Sequence, residues 1–179
     1  MGAVGSGKTA LIEKTLKELS DDYSISVVAG DVKADIDAER IEKTGIQVVP
    51  VSTGKECHLD AHLLKHALED LDLEETDLLL IENVGNLICP VDFDLGAHKR
   101  IVVVSSTEGD DVIEKHPEIF SNSDLTLINK LDLAKAVGAD PEKMRKDFER
   151  VGNGEANTIS IKENKNTEVW FDFLRELLD

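Results

Sequence analysis

The chain has 179 residues, room for one domain of ordinary size, and 41% of them are hydrophobic. Aromatic residues make up only 4%, so the core has to be built from Val, Ile, Leu and Ala. Asp and Glu number 37 against 20 Lys and Arg, a formal net charge of −17 that disfavours nucleic acid and anionic membranes as partners, because both are held by Lys/Arg fields. Such acidity favours solubility and also suits a high-salt or hot cytoplasm. No apolar run approaches the roughly 18 residues of a membrane span. No signal peptide is recognised. Two cysteines, Cys57 and Cys89, make no disulfide scaffold. A reducing cytoplasm is the expected compartment.

The chain opens on Gly2-Ala3-Val4-Gly5-Ser6-Gly7-Lys8-Thr9, which satisfies the P-loop pattern G-x-x-x-x-G-K-[ST]. Gly5, Ser6 and Gly7 let backbone N–H groups approach phosphate oxygens without a Cβ in the way. Lys8 would sit near the β- and γ-phosphates, and the Thr9 hydroxyl would ligate Mg²⁺. Leu11, Ile12, Leu16 and Leu19 follow at helical spacing, so a helix over 8–19 would aim its N-terminus at the phosphates. The competing reading is a Gly-rich turn at a frayed chain start. Only Met1 precedes Gly2, so the buried strand that normally leads into a P-loop is expected to be missing. A late-assigned start or a truncation is the expected cause, with an unfilled slot in the sheet as the consequence.

Short β-branched runs predict strands over 25–29, 46–51, 78–81, 101–104, 125–128 and 158–161. Further helices are predicted over 38–43, 59–68, 141–150 and 167–178, the last with an apolar stripe of Val169, Trp170, Phe173, Leu174, Leu177 and Leu178. Strands alternating with helices predict a single α/β domain over 1–179, a doubly wound, mostly parallel sheet with ligands beyond the carboxyl ends of the strands. Candidate residues fall there. Gly30-Asp31 follows the strand 25–29, and Asp31 is a candidate for Mg²⁺ or for orienting water. Asp37 is either a second such group or the cap of the next helix. Glu82-Asn83-Val84-Gly85 ends the third strand in Walker-B fashion: Glu82 would hold Mg²⁺ directly or through water, and the Gly85 N–H would meet the γ-phosphate. Asn129-Lys130-Leu131-Asp132 is N-K-x-D after a buried strand. The Asp132 carboxylate can accept from guanine N1–H and the 2-amino group, donors that adenine lacks there. The Lys130 stem would lie against the base and brace the P-loop. Ser160-Ile161-Lys162 would close over the guanine edge, or is an ordinary strand-end loop.

A second chemistry lies in Cys57-His58, just before the helix 59–68, where His62 and His66 follow at i+4 and i+8 from His58. Cys89 lies in Asn86-Leu87-Ile88-Cys89-Pro90, a few residues after Gly85. Two thiolates and an imidazole suit Zn²⁺ or Ni²⁺, with water, His62 or a second subunit supplying what three ligands leave open. The spacing is not that of a zinc finger, and buried structural cysteines are the alternative.

Gly2–Thr9 with Gly30-Asp31, the stretch Thr53–His62, the stretch Glu82–Pro90 and Asn129–Asp132 together resemble the HypB family, hydrogenase nickel-incorporation GTPases of the SIMIBI class of P-loop proteins. The resemblance spans essentially the whole chain, and the segments around Cys57 and Cys89 are its specific part. Urease accessory GTPases of the UreG type carry Cys-Pro-His, whereas here Val91 follows Cys89-Pro90. The resemblance implies GTP binding with slow hydrolysis and GTP-driven homodimerisation. It implies nickel or zinc at the dimer face through Cys57, His58 and Cys89, and transfer of nickel to the large-subunit precursor of a [NiFe]-hydrogenase with a HypA-type chaperone. The N-terminal Cys-rich or His-rich nickel tracts of some members are not seen, so transfer or regulation is expected rather than storage. Three alternatives are a UreG-type urease GTPase, a small-molecule phosphotransferase, and a metal-binding scaffold that has lost nucleotide binding with its first strand.

Overall fold

The computed structural model describes residues 1–31, 46–54 and 56–179, with the side chain of Asp31 outside that description. The expected helix over 38–43 and Asp37 lie outside the described residues. Among the described residues two three-stranded sheets form, in the orders β2-β1-β3 and β4-β5-β6, with their strands paired in parallel. The strands are β1 (Ile25–Asp31), β2 (Gln47–Ser52), β3 (Leu78–Glu82), β4 (Ile101–Ser105), β5 (Leu125–Asn129) and β6 (Glu155–Thr158). Helices α1 (Lys8–Leu19), α2 (Ala61–Leu68), α3 (Val112–Lys115), α4 (Pro117–Ser121), α5 (Leu131–Val137), α6 (Pro141–Val151) and α7 (Glu168–Leu178) cover them.

The pleat decides the layers. Val27, Val103, Leu125 and Leu127 face one side and pack with Leu11, Leu16 and Leu19 of α1 and Trp170 and Leu174 of α7. Their neighbours Val102, Val104 and Ile128 face the other side, against Ile113, Phe120, Met144 and Phe148. Val28 packs with Leu59 and Leu64 in a third cluster over the first sheet. Each fully buried Leu or Ile contributes about 1.5–3 kcal/mol, so strands buried on both faces need no polar alternation. The Trp170 indole N–H donates to Thr15 Oγ1 at 2.8 Å, tying the last helix to the helix that follows the P-loop.

Among the described residues the two sheets do not pair with each other: β3 pairs with β1, β4 pairs with β5, and Met1 lies along β4. The Met1 amino group donates to Ile101 O at 2.7 Å, and Met1 O accepts from Val103 N–H at 2.9 Å, as a residue of a parallel strand would. A cavity of about 160 Å³ remains beside it, walled by Leu11, Ile12, Leu80 and Ile101. Leu78–Ile81 are therefore only half-buried despite their uniformly apolar sequence.

The last strand departs from expectation. Pairing with β5 uses Glu155–Thr158 rather than the apolar residues 158–161. β6 is an edge strand, so polar Glu155 and Asn157 are tolerated on its ladder. Buried Ile159 follows, its N–H still donating to Ile128 O at 2.8 Å and its carbonyl accepting from Leu131 N–H at 3.1 Å.

Candidate functional site

Gly7 shows why the opening motif needs its glycines. Its φ of 112° is a left-handed conformation, and a Cβ there would lie 2.4 Å from Asn129 Nδ2. Gly7 caps α1 without any side-chain acceptor, and the first turn holds no acidic residue, so the leading N–H groups of the helix face outward as donors for an anion. The Lys8 side chain is buried; its ammonium donates to Ala3 O at 3.1 Å and lies 3.9 Å from Glu82 Oε1. Ser6 Oγ is buried with no hydrogen-bond partner among the described residues. These features fit a polyphosphate cradle.

The end of β3 meets this cradle. Thr9 Oγ1 donates to Glu82 Oε1 at 3.0 Å, bringing a hydroxyl and a carboxylate together where two hard oxygen donors suit Mg²⁺. Gly85 has no room for a side chain. A Cβ would lie 2.5 Å from Val4 Cγ2 and 3.0 Å from both Val4 Cα and Val4 N. Gly2 and Asn86 form an isolated antiparallel bridge. The 82–86 segment thus lies directly against the P-loop backbone. Asp31 ends β1, opposite Ser52 in the parallel register.

The N-K-x-D segment lies at the carboxyl end of β5 in the second sheet. Asn129 Nδ2 donates to Ser6 O at 2.9 Å, and its Oδ1 accepts from Ile161 N–H at 3.1 Å. Asn129 therefore braces the P-loop by hydrogen bond, a contact that the sequence reading did not assign to it. Lys130 has a φ of 62°, and its carbonyl accepts from the Ser106 hydroxyl at 2.8 Å. Asp132, in the first turn of α5, accepts from Ser160 Oγ at 2.6 Å. Ser160 in turn accepts from Glu163 N–H at 3.2 Å, and Lys162 is exposed in the same turn. Burial pushes the Glu108 carboxyl above its ordinary value, against the pull of the Ser105 N–H, Lys130 and Lys8.

Cys57 and His58 precede α2, as expected, and the helix begins two residues later than the predicted Leu59. The helix starts at Ala61, capped by Asp60, whose carboxylate accepts from Leu63 N–H at 2.8 Å. The expected three-histidine face is thus reduced: His62 and His66 pack edge to face with centroids 4.6 Å apart, and His58 lies outside their helix. Cys57 Sγ is 3.9 Å from His58 Nδ1. The neighbouring Cys89 thiol is the main influence raising the Cys57 thiol above its ordinary value. Cys89 starts a single 3₁₀ turn, Cys89–Val91, immediately before Pro90. Among the described residues, no three His, Cys, Asp or Glu side chains close into a complete metal cage. Thiols and an imidazole are donor types that suit Ni²⁺ or Zn²⁺.

Residues without an assigned role in the sequence reading join the two sites. Asn83 is buried, and its Oδ1 accepts from both Leu59 N–H (2.9 Å) and Val84 N–H (2.8 Å). Asn86 Nδ2 donates to Cys57 O at 3.4 Å, and its Oδ1 accepts from Ile88 N–H at 2.8 Å. Phe93 stacks on the His58 ring. Both asparagines lie inside the motif that marks the end of β3, but nothing local in the sequence says what they contact.

Residues 1–159 match the family model described as CobW/HypB/UreG, nucleotide-binding domain. The chain is 60% identical over 177 residues to the probable hydrogenase maturation factor HypB of Methanocaldococcus jannaschii, covering 98% of this chain and 80% of that protein. It spans only 43% of the longer HypB of Rhizobium leguminosarum bv. viciae, to which it is 52% identical over 129 residues. The crystal structure of hydrogenase maturation factor HypB from Archaeoglobus fulgidus superposes with a TM-score of 0.94 at 53% identity, over 100% of this chain and 88% of that one. HypB from Helicobacter pylori in complex with nickel superposes with a TM-score of 0.90 at 36% identity, over 99% and 84%. FtsY from Mycoplasma mycoides, at 18% identity and a TM-score of 0.59, shares the SIMIBI fold alone. No helix among the described residues is long and apolar enough to cross a membrane. The chain belongs to the CobW/HypB/UreG family of P-loop NTPases, within its HypB group of hydrogenase maturation factors.

Proposed function

We propose that this protein is a cytoplasmic GTPase whose nucleotide state controls a nickel- and zinc-binding face, and that it delivers nickel during [NiFe]-hydrogenase maturation. One observation carries the reading. The segment that ends β3 touches the P-loop at Val4 and Gly2 and also holds the Cys57-His58 segment through Asn83 and Asn86.

In this reading Gly5, Ser6, Gly7, Lys8 and Thr9 bind the phosphates, with Gly85 at the γ-phosphate. Asn129, Lys130 and Asp132 read guanine, with Ser160 orienting the Asp132 carboxylate and Lys162 at the rim. Thr9, Glu82 and Asp31 would hold Mg²⁺, which would supply electrostatic stabilisation for phosphoryl transfer. Lys8, Asp31 and Glu82 carry the hydrolytic step by placing charge and orienting water. No arginine stands out in these motifs as a finger, so turnover is slow. Closure of the 82–93 segment on GTP brings Cys57, His58 and Cys89 to a face shared by two subunits, with His62 at its edge. Hydrolysis loosens that face and releases the metal. A HypA-type chaperone and the hydrogenase large-subunit precursor are the expected partners, and neither nucleic acid nor a membrane is involved. The nickel complex of the Helicobacter pylori relative supports the metal assignment.

The test is to titrate Ni²⁺ and Zn²⁺ with GDP or a non-hydrolysable GTP analogue bound, while following mass in solution. Different affinities and a dimer favoured by the analogue are expected. Equal affinities and an unchanged monomer–dimer ratio refute the coupling. Cys89→Ala should weaken metal binding and spare GTP binding, and loss of GTP binding would make Cys89 structural.

A further inference from the structure

We propose that Phe93 is a positioning residue for the metal ligand His58, a platform that fixes the imidazole face so that its nitrogens meet the cargo metal beside Cys57. The proposal rests on the metal reading of Cys57, His58 and Cys89 given above. The His58 and Phe93 rings are stacked, with centroids 3.5 Å apart and planes inclined by 17°. Imidazole nitrogens bind metals through lone pairs in the ring plane, so a partner lying on the ring face competes for neither nitrogen. The edge bearing Nδ1 is already turned toward sulfur, 3.9 Å from Cys57 Sγ.

The platform is anchored on both sides. Before it, the 3₁₀ turn is closed by Val91 N–H on Ile88 O (3.1 Å) and Asp92 N–H on Cys89 O (3.2 Å). After it, Asp94 pairs with Arg100 at 2.9 Å and accepts from Gly96 N–H at 3.0 Å. Arg100 leads into β4, and its N–H is fixed on Asp124 at 2.8 Å. Phe93 is 40% exposed, too open to act chiefly as core. His58, by contrast, lies on an irregular segment ahead of α2, where an unsupported imidazole would keep several rotamers and bind metal only after losing that freedom. The same loop carries Cys89 four residues earlier, so one movement of the 86–93 segment shifts a ligand and the platform of another ligand together.

The experiment is a double-mutant cycle on the full chain. Ni²⁺ affinity is read from the thiolate-to-nickel absorption band for wild type, Phe93→Ala, His58→Ala and the double variant, with Phe93→Tyr as the conservative control. Aromatic stacking energies translate into a loss of about 2- to 12-fold for Phe93→Ala when His58 is present. No loss is expected when His58 is already Ala, and Phe93→Tyr should restore wild-type affinity. In metal-free protein the His58 ring protons should be shifted upfield by the Phe93 ring current, and the shift should vanish in Phe93→Ala. Equal losses with and without His58, or no loss at all, overturn the proposal. A wild-type protein that binds no Ni²⁺ overturns the metal reading and this proposal with it. Normal wild-type binding without Phe93–His58 coupling overturns this proposal alone.

Discussion

Replacing Gly85 by Ala probes the join between the two sites. The added methyl would lie 2.5 Å from Val4 Cγ2 and 3.0 Å from Val4 Cα and N, where unstrained carbon contacts need about 3.5–4.0 Å. Something has to move by about half an ångström or more at the backbone atoms. Val4 is 80% exposed, whereas the β3 end is fixed by buried Asn83 and Glu82. The P-loop therefore yields rather than the strand. Overpacking of this kind costs about 1–3 kcal/mol. If the cost falls on the loop geometry that nucleotide requires, GDP and GTP-analogue affinities drop by about 5- to 150-fold. If it falls on the fold, the melting temperature drops by about 2–12 °C for a chain of this size. Fluorescent-GDP titration and thermal melts on the same preparation separate the two outcomes, and the affinity loss should dominate. Val4→Ala removes the Cγ2 clash but neither backbone contact, so Val4→Ala/Gly85→Ala should recover only part of the loss. Wild-type affinity and melting temperature for Gly85→Ala would refute the close approach and, with it, the route from phosphate to metal.

Asn129→Ala strips the acceptor from Ile161 N–H and the donor from Ser6 O; leaving two such groups unsatisfied should cost about 2–6 kcal/mol in denaturant unfolding, and an unchanged midpoint would refute the brace. Asp132→Asn replaces a charged acceptor by an amide, which should weaken GDP by about 10- to 150-fold and improve xanthosine diphosphate, whose 2-oxo group accepts from the amide; equal losses for both nucleotides would contradict the base-reading role. Glu108 has a folded-state value above the ordinary 4.5, so between these two values the native state binds more protons than the unfolded one and stability falls as pH rises. Glu108→Gln, which keeps an acceptor for Ser105 N–H, should flatten that fall and raise stability at neutral pH; parallel urea-unfolding curves for variant and wild type from pH 4.5 to 7 would show the assignment to be wrong.

The opening motif was readable along the sequence because its geometry is local. Gly2–Thr9 forms its turn and helix within eighteen residues, and α1 has the bounds predicted for it, Lys8–Leu19. The strands β1, β3, β4 and β5 each run one or two residues beyond their apolar runs, because the first polar residue at the carboxyl end still pairs before the chain turns. The short helices α3, α4 and α5 escaped notice. The first two span 4 and 5 residues, less than two helical turns, and α5 opens on the N-K-x-D motif, whose chemistry masks its periodicity. β6 was misplaced because an edge strand need not be apolar.

Strand–helix alternation, the P-loop and N-K-x-D by themselves determined an α/β P-loop protein, because each follows from residue type at fixed spacing, and the resemblance carried by the Cys57-His58 and Cys89 segments added the HypB family. Only the tertiary structure decided what stands between those motifs. Asn129 braces Ser6, 123 residues away in sequence. Gly85 is a glycine because Val4 occupies the space of its side chain. His58 lies against Phe93, not in line with His62 and His66. These are contacts between strand ends and loops distant along the chain, and they exist only once parallel pairing has brought the carboxyl ends of the strands to one side.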